Sequence, residues 1–169
     1  RLSRLDEYEL LMLEQPFSGE DLWDHSLLQK EIKTPVCLDE SIKSVNSARR
    51  AWEMKSARII NIKVGRVGGI LESRRIHDFC REKKIPVWCG GMLESGIGRA
   101  HNVHLAALPN FLFPNDISAS RRYFETDLVE PEFALTSHGT IPVPDGPGIG
   151  VIPQEDRIRA AELQRQVFT

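Results

Sequence analysis

The sequence predicts an α/β fold on a parallel sheet and, within that class, the C-terminal part of a (β/α)-barrel. Three observations carry the prediction. Short β-branched apolar runs alternate with stretches of helical spacing along most of the 169 residues, the rhythm of a parallel sheet covered by helices. A polar residue stands at the C-terminal tip of each of the first three runs: Glu14, Asp39 and Lys63, 25 and 24 residues apart. A barrel of ~250 residues in eight units repeats every ~31 residues, which is near that spacing. An open doubly wound sheet is the alternative, but it gathers ligands at one switch point and does not cap successive strands. At barrel spacing the chain supplies about five of eight βα units.

Each element has its own signal. Leu10 to Leu13 is a short apolar run that ends in Glu14-Gln15-Pro16, and Pro16 and Gly19 mark a loop. Asp21 to Lys30 has helical spacing, with Leu22, Trp23, Leu27 and Leu28 as its apolar face. Pro35 to Leu38 is the second strand and ends in Asp39-Glu40-Ser41. Ser44 is positioned to cap a helix that reaches about Met54. Arg58 to Ile62 reads as a strand buried on both faces, and it delivers Lys63 to a turn containing Gly65, Gly68 and Gly69. A helix over Leu71 to Lys84 follows. Ile85 to Trp88 is a fourth strand, a helix runs through His101, His104 and Leu108, and Phe111 to Phe113 is a fifth strand ending in Pro114-Asn115-Asp116. Asp127 to Gly150 loses helical period and is dense in Pro and Gly, so short strands and turns are expected there. Glu155 to Phe168 reads as a closing helix with Ile158, Ala161, Leu163 and Val167 on its apolar side.

Composition excludes several classes. The net charge is −2 with both signs interspersed, which argues against nucleic acid or an anionic membrane as partner. No apolar stretch approaches the ~18 residues of a spanning helix, and no signal-peptide pattern opens the chain. The three cysteines lack metal-ligand spacing, and Cys37 and Cys80 read as small core residues, so the cytoplasm is the default. Trp23, Trp52 and Trp88 read as core or groove aromatics. His101 and His104 lack a third ligand at suitable spacing and read as structural or surface residues. The glycines after Lys63 match neither the dinucleotide nor the P-loop pattern.

The chemistry gathers at the strand tips. Glu14 and Asp39 on successive strands converge on one rim, where two carboxylates repel unless a divalent cation lies between them. Oxygen ligands of that hardness suit magnesium, with manganese or cobalt as alternatives. Lys63, one strand further round, would lie beside the metal, which suits proton abstraction α to a carboxylate. Taken singly, each carboxylate reads equally well as a loop cap or an ion-pair partner.

Five motifs carry a resemblance: Glu14-Gln15-Pro16, Asp39-Glu40-Ser41, Lys63-Val64-Gly65-Arg66-Val67-Gly68-Gly69, Met92-Leu93-Glu94-Ser95-Gly96-Ile97-Gly98 and Pro114-Asn115-Asp116. Together they resemble the muconate-lactonizing-enzyme subgroup of the enolase superfamily, and within it the o-succinylbenzoate synthase and N-acylamino acid racemase family. The resemblance runs from about Leu10 to Gly150. It implies strands four to eight of an enolase-type barrel over residues 1–126, and over 127–169 the C-terminal segment returning to an α+β capping domain. It implies Glu14 and Asp39 as metal ligands, Lys63 as the acid/base lysine, and Glu40 and Arg66 as orienting residues. Arg66 is similar to an arginine of members with racemase activity. Gly91, Met92, Leu93, Glu94 and Ser95 would line the pocket of a small carboxylate substrate. The family's first metal-binding aspartate and its Lys-x-Lys base pair would precede Arg1. The chain therefore resembles the C-terminal half of such an enzyme, expected to be inactive alone and homo-oligomeric at full length. Muconate cycloisomerase, dipeptide epimerase and a non-catalytic partial barrel that needs a partner chain are the alternatives.

Overall fold

The structure, a computed structural model, describes residues 2–167. Val36–Leu38 (β2) and Ile59–Ile62 (β3) are buried along their whole length, so both must be flanked by strands and covered on both faces. Leu13–Glu14 (β1) pairs with β2, and Val87–Cys89 (β4) pairs with β3, all parallel and in the order β1-β2-β3-β4. The helices Leu22–Glu31 (α1), Val45–Glu53 (α2), Ile70–Glu82 (α4) and Gly96–Ala106 (α5) alternate with the strands. Ile42, Ala48, Ala51, Ile76, Cys80 and Leu105 pack with the strand residues in one core. The fold is thus a parallel α/β arrangement of the kind found in part of a (β/α)-barrel.

Several elements differ from the sequence expectation. β1 begins at Leu13 and is only two residues long, while Leu11 is exposed. Only this end of the run reaches β2, through Leu13 N to Pro35 O and Gln15 N to Cys37 O. The fifth strand is reduced to two isolated bridges, Val87 with Phe111 and Gly90 with Asp116. Pro114 between them has no N–H to continue the ladder. The lysine loop contains a further helical turn, Val64–Val67 (α3), before α4. The face of α1 turned to the core is largely polar, with His25, Ser26 and Gln29 buried beside Leu28, whereas Trp23 is 62% exposed. Trp52 is also substantially exposed, with its edge against Phe79 and the Lys83 ammonium over its ring. The closing helix spans only Glu155–Ala160 (α6), and Ala161 to Val167 are exposed. The end of the expected helix, at Phe168, lies outside the described residues.

After Asp127, Val129–Glu130 (β5) and Ile152–Pro153 (β6) form an antiparallel pair. Val129, Phe133 and Val151 pack on Ala100 and Val103 of α5 as a second, smaller core. At the other end, a 3-10 segment over Leu2–Tyr8 is tied down by Asp6, whose carboxylate accepts from Lys33 N, Thr34 N and Thr34 Oγ1. Cys37, Cys80 and Cys89 are all buried and unpaired, and burial pushes each thiol up to about 12. Among the described residues no helix is long and apolar enough to cross a membrane.

Candidate active site

Lys63 follows the last residue of β3 and takes the cap position of α3 with extended backbone. Gly68 then ends that turn in the left-handed region, at φ 89°, and Gly69 at φ 121° redirects the chain into α4. Both angles suit glycine and strain other residues. This brief turn brings Arg66 back beneath the strand ends.

Asp39, just beyond β2, receives both cations. Lys63 Nζ donates to its Oδ2 at 2.8 Å, and Arg66 Nη1 donates to its Oδ1. The Asp39 side chain is 7% exposed, against 24% for Lys63 and 14% for Arg66, so these pairs are partly shielded from water and stronger than surface pairs. Arg66 also donates through Nε to Ile42 O at 2.9 Å and through Nη2 to Asn61 O at 2.6 Å. Burial pushes the Arg66 guanidinium down to about 10, which leaves it charged at neutral pH.

Glu14 and Asp39 line one open recess of about 410 Å³, together with Gln15 and Glu40. The Glu40 side chain is exposed and makes no hydrogen bond among the described residues. Two carboxylates at neighbouring strand ends form a hard oxygen donor set that fits a divalent cation such as magnesium. Among the described residues no group of three or more His, Cys, Asp or Glu side chains is placed to hold a metal ion.

Sequence reasoning missed two residues that set this geometry. Asn61 is fully buried within β3, where it donates through Nδ2 to Glu14 Oε1 and accepts through Oδ1 from Gly90 N, both at 2.8 Å. A lone amide inside an otherwise apolar strand was the available signal. Gln15 accepts through Oε1 from Asp39 N at 2.8 Å and from Ser41 N at 3.3 Å, and donates through Nε2 to Ser41 Oγ at 2.9 Å. It ties the β1 loop to the β2 loop. His25 supports the same corner: its Nδ1 meets the Asp21 carbonyl, which leaves Nε2 to accept from Phe17 N at 3.3 Å.

Lys63 also borders a second cavity of about 400 Å³, mostly apolar, lined by Val64, Gly90, Met92, Leu93 and Glu94 among others. Gly91 and Ser95 do not line it. Gly91 lies against the Asp116 carbonyl, where a Cβ would stand 2.1 Å from the oxygen, and Ser95 is the residue before α5. Gly90 is glycine for a related reason: a Cβ there would stand 2.6 Å from both the Asn61 amide and Lys63 Cε. The Glu94 carboxylate accepts from Met92 N of its own loop at 2.7 Å and from Asn102 Nδ2 of α5. His101 Nδ1 bonds the Ile97 carbonyl, and His104 Nε2 bonds the Ile149 carbonyl.

Known proteins resemble this arrangement closely. Residues 1–157 match the family described as enolase C-terminal domain-like. The chain is 52% identical to o-succinylbenzoate synthase of Bacillus subtilis over 169 residues, covering 100% of this chain and 45% of that protein. It is 56% identical to N-succinylamino acid racemase of an Amycolatopsis species over 153 residues, covering 90% of this chain and 41% of that protein. A solved enolase-superfamily member from Listeria innocua superposes with a TM-score of 0.89 at 48% identity, covering 94% of this chain and 43% of that one. The chain thus spans less than half the length of these relatives. With the parallel sheet, the strand-tip residues and these matches together, the chain belongs to the enolase superfamily, in its C-terminal domain-like family.

Proposed function

We propose that this chain carries the acid/base lysine and two metal carboxylates of a magnesium-dependent enzyme that abstracts a proton α to a carboxylate. The reaction is that of an o-succinylbenzoate synthase, an N-acylamino acid racemase, or both. The observation that carries the reading is the convergence of Glu14, Asp39 and Lys63 at the C-terminal ends of three successive parallel strands, with Lys63 bordering an apolar cavity. The 52% and 56% identities to a synthase and a racemase support this substrate class. Chloromuconate cycloisomerase of Cupriavidus pinatubonensis is only 25% identical.

Each residue has a part. Glu14 and Asp39 would hold the magnesium, which when bound supplies positive charge to stabilise an oxyanion. Lys63 exchanges the proton at the substrate carbon, and its ion pair with Asp39 fixes the ammonium at the strand end. Arg66 shares the Asp39 carboxylate and braces it from below. The apolar cavity receives the part of the substrate remote from the reacting carbon and keeps water from it.

The test combines the chain with the complementary N-terminal part of the Bacillus subtilis synthase, in magnesium. Synthase or racemase turnover is expected, and Lys63→Ala is expected to abolish it. Two folded parts that associate without turnover, or turnover that survives Lys63→Ala, would remove the assignment.

A further inference from the structure

The buried ion pair between Arg99 and Asp127 takes no part in the chemistry above. α5 starts directly after the Gly91–Ser95 loop, and Ser95 in the cap position makes no side-chain hydrogen bond to the helix. The missing acceptor comes from the tail. Asp127 Oδ1 accepts from Gly96 N and from Leu128 N, each at 2.7 Å, while Oδ2 accepts from Arg99 Nη1 at 3.2 Å and from Ser120 Oγ. One carboxylate therefore caps the first turn of α5 and folds the tail onto it.

The fit leaves no slack. A Cβ on Gly96 would stand 2.1 Å from Val129 Cγ2 and 2.9 Å from Asp127 Oδ2. The Arg99 and Asp127 side chains are 1% and 0% exposed, and Arg99 Nη2 is buried without a partner among the described residues. Burying such a pair is expensive and gives little net stability. What it does supply is a fixed geometry at the point where the loop becomes helix.

We propose that Asp127 is a positioning residue for the Gly91–Ser95 loop. Through Gly96 it sets where α5 begins, and so where Met92, Leu93 and Glu94 stand on the wall of the cavity beside Lys63. The tail thereby acts on which substrate group the cavity accepts. This rests on reading that cavity as the substrate's.

Amide hydrogen exchange on the intact chain tests the linkage without turnover. Asp127→Asn keeps the shape and removes the charge, whereas Gly96→Ala breaks the same contact from the helix side. In both variants the Met92 and Gly96 amides are expected to exchange about tenfold faster while Ile60 and Ile62 in β3 are unchanged. Unchanged exchange at Met92 and Gly96, or equal acceleration in β3, would overturn the proposal. If Asp127→Asn does not fold, Gly96→Ala decides alone. In the complemented enzyme the Asp127→Asn change should fall on KM and not on kcat; an equal change in both overturns it. Absence of turnover in the unsubstituted complemented enzyme would remove the functional reading and leave the exchange result to decide the linkage.

Discussion

Asn61 works on both sides of its own strand, donating to Glu14 on β1 and accepting from Gly90 beyond β4. Replacing it with alanine would leave the Gly90 N–H buried without a partner and release the Glu14 carboxylate. Asn61→Ala is expected to cost about 1–3 kcal/mol, read from denaturant unfolding. A loss near zero would mean that water or a neighbour replaces the amide. Glu14, Asp39 and Lys63 were legible as residues because a charge at the end of an apolar run stands out in one dimension. Asn61 and Gln15 were not, because their partners lie 47 residues away for Glu14 and 24 for Asp39. Nothing local distinguishes an amide that braces a site from one that fills a strand.

Among the elements, α1 and α2 respond differently to the same kind of reading. Ser44 was legible as a cap, and it forms a reciprocal pair with Ser47 at the start of α2. In α1 the apolar stripe holds for Leu22 and Leu28, which meet the core, but not for Trp23 and Leu27, because polar side chains fill the rest of the buried face. Gln29 accepts from Val36 N at 2.7 Å and donates to Thr34 O at 3.3 Å, and so satisfies the backbone entering β2. Periodicity assumes an apolar buried face and fails where that face must serve neighbouring backbone. The 3-10 segment over Leu2–Tyr8 depends on one titratable group. The Thr34 hydroxyl first, then the Lys33 and Thr34 amides, hold the Asp6 carboxylate below its usual range. A carboxylate lowered on folding stabilises the clip above its unfolded value of about 4 and loses that stabilisation as pH falls through the lowered value. On acidification the Lys33 and Thr34 amide signals are expected to shift, with the sheet still folded. Asp6→Asn should abolish that step, and a step that persists would assign it to another group.

Across the whole molecule, the βα rhythm was legible because each helix and strand declares itself within a few turns of chain. The fifth strand and the length of the closing helix were over-read: Pro114 interrupts the first, although its Phe111 still packs on the core and stacks on His77, and Ala161 to Val167 of the second stay exposed. Two cores result, one under the sheet and one joining the tail to α5. The three thiols all belong to the sheet and its covering helix, on β2, α4 and β4. Only a thiolate reacts readily, and these groups are both buried and held protonated at neutral pH. The molecule thus carries its own clock for opening. Alkylation in native buffer should modify Cys37, Cys80 and Cys89 together, at the rate at which the sheet comes apart. Mass spectra taken over time would then pass from unlabelled to triply labelled chain, and a singly labelled species would identify the element that lets go first.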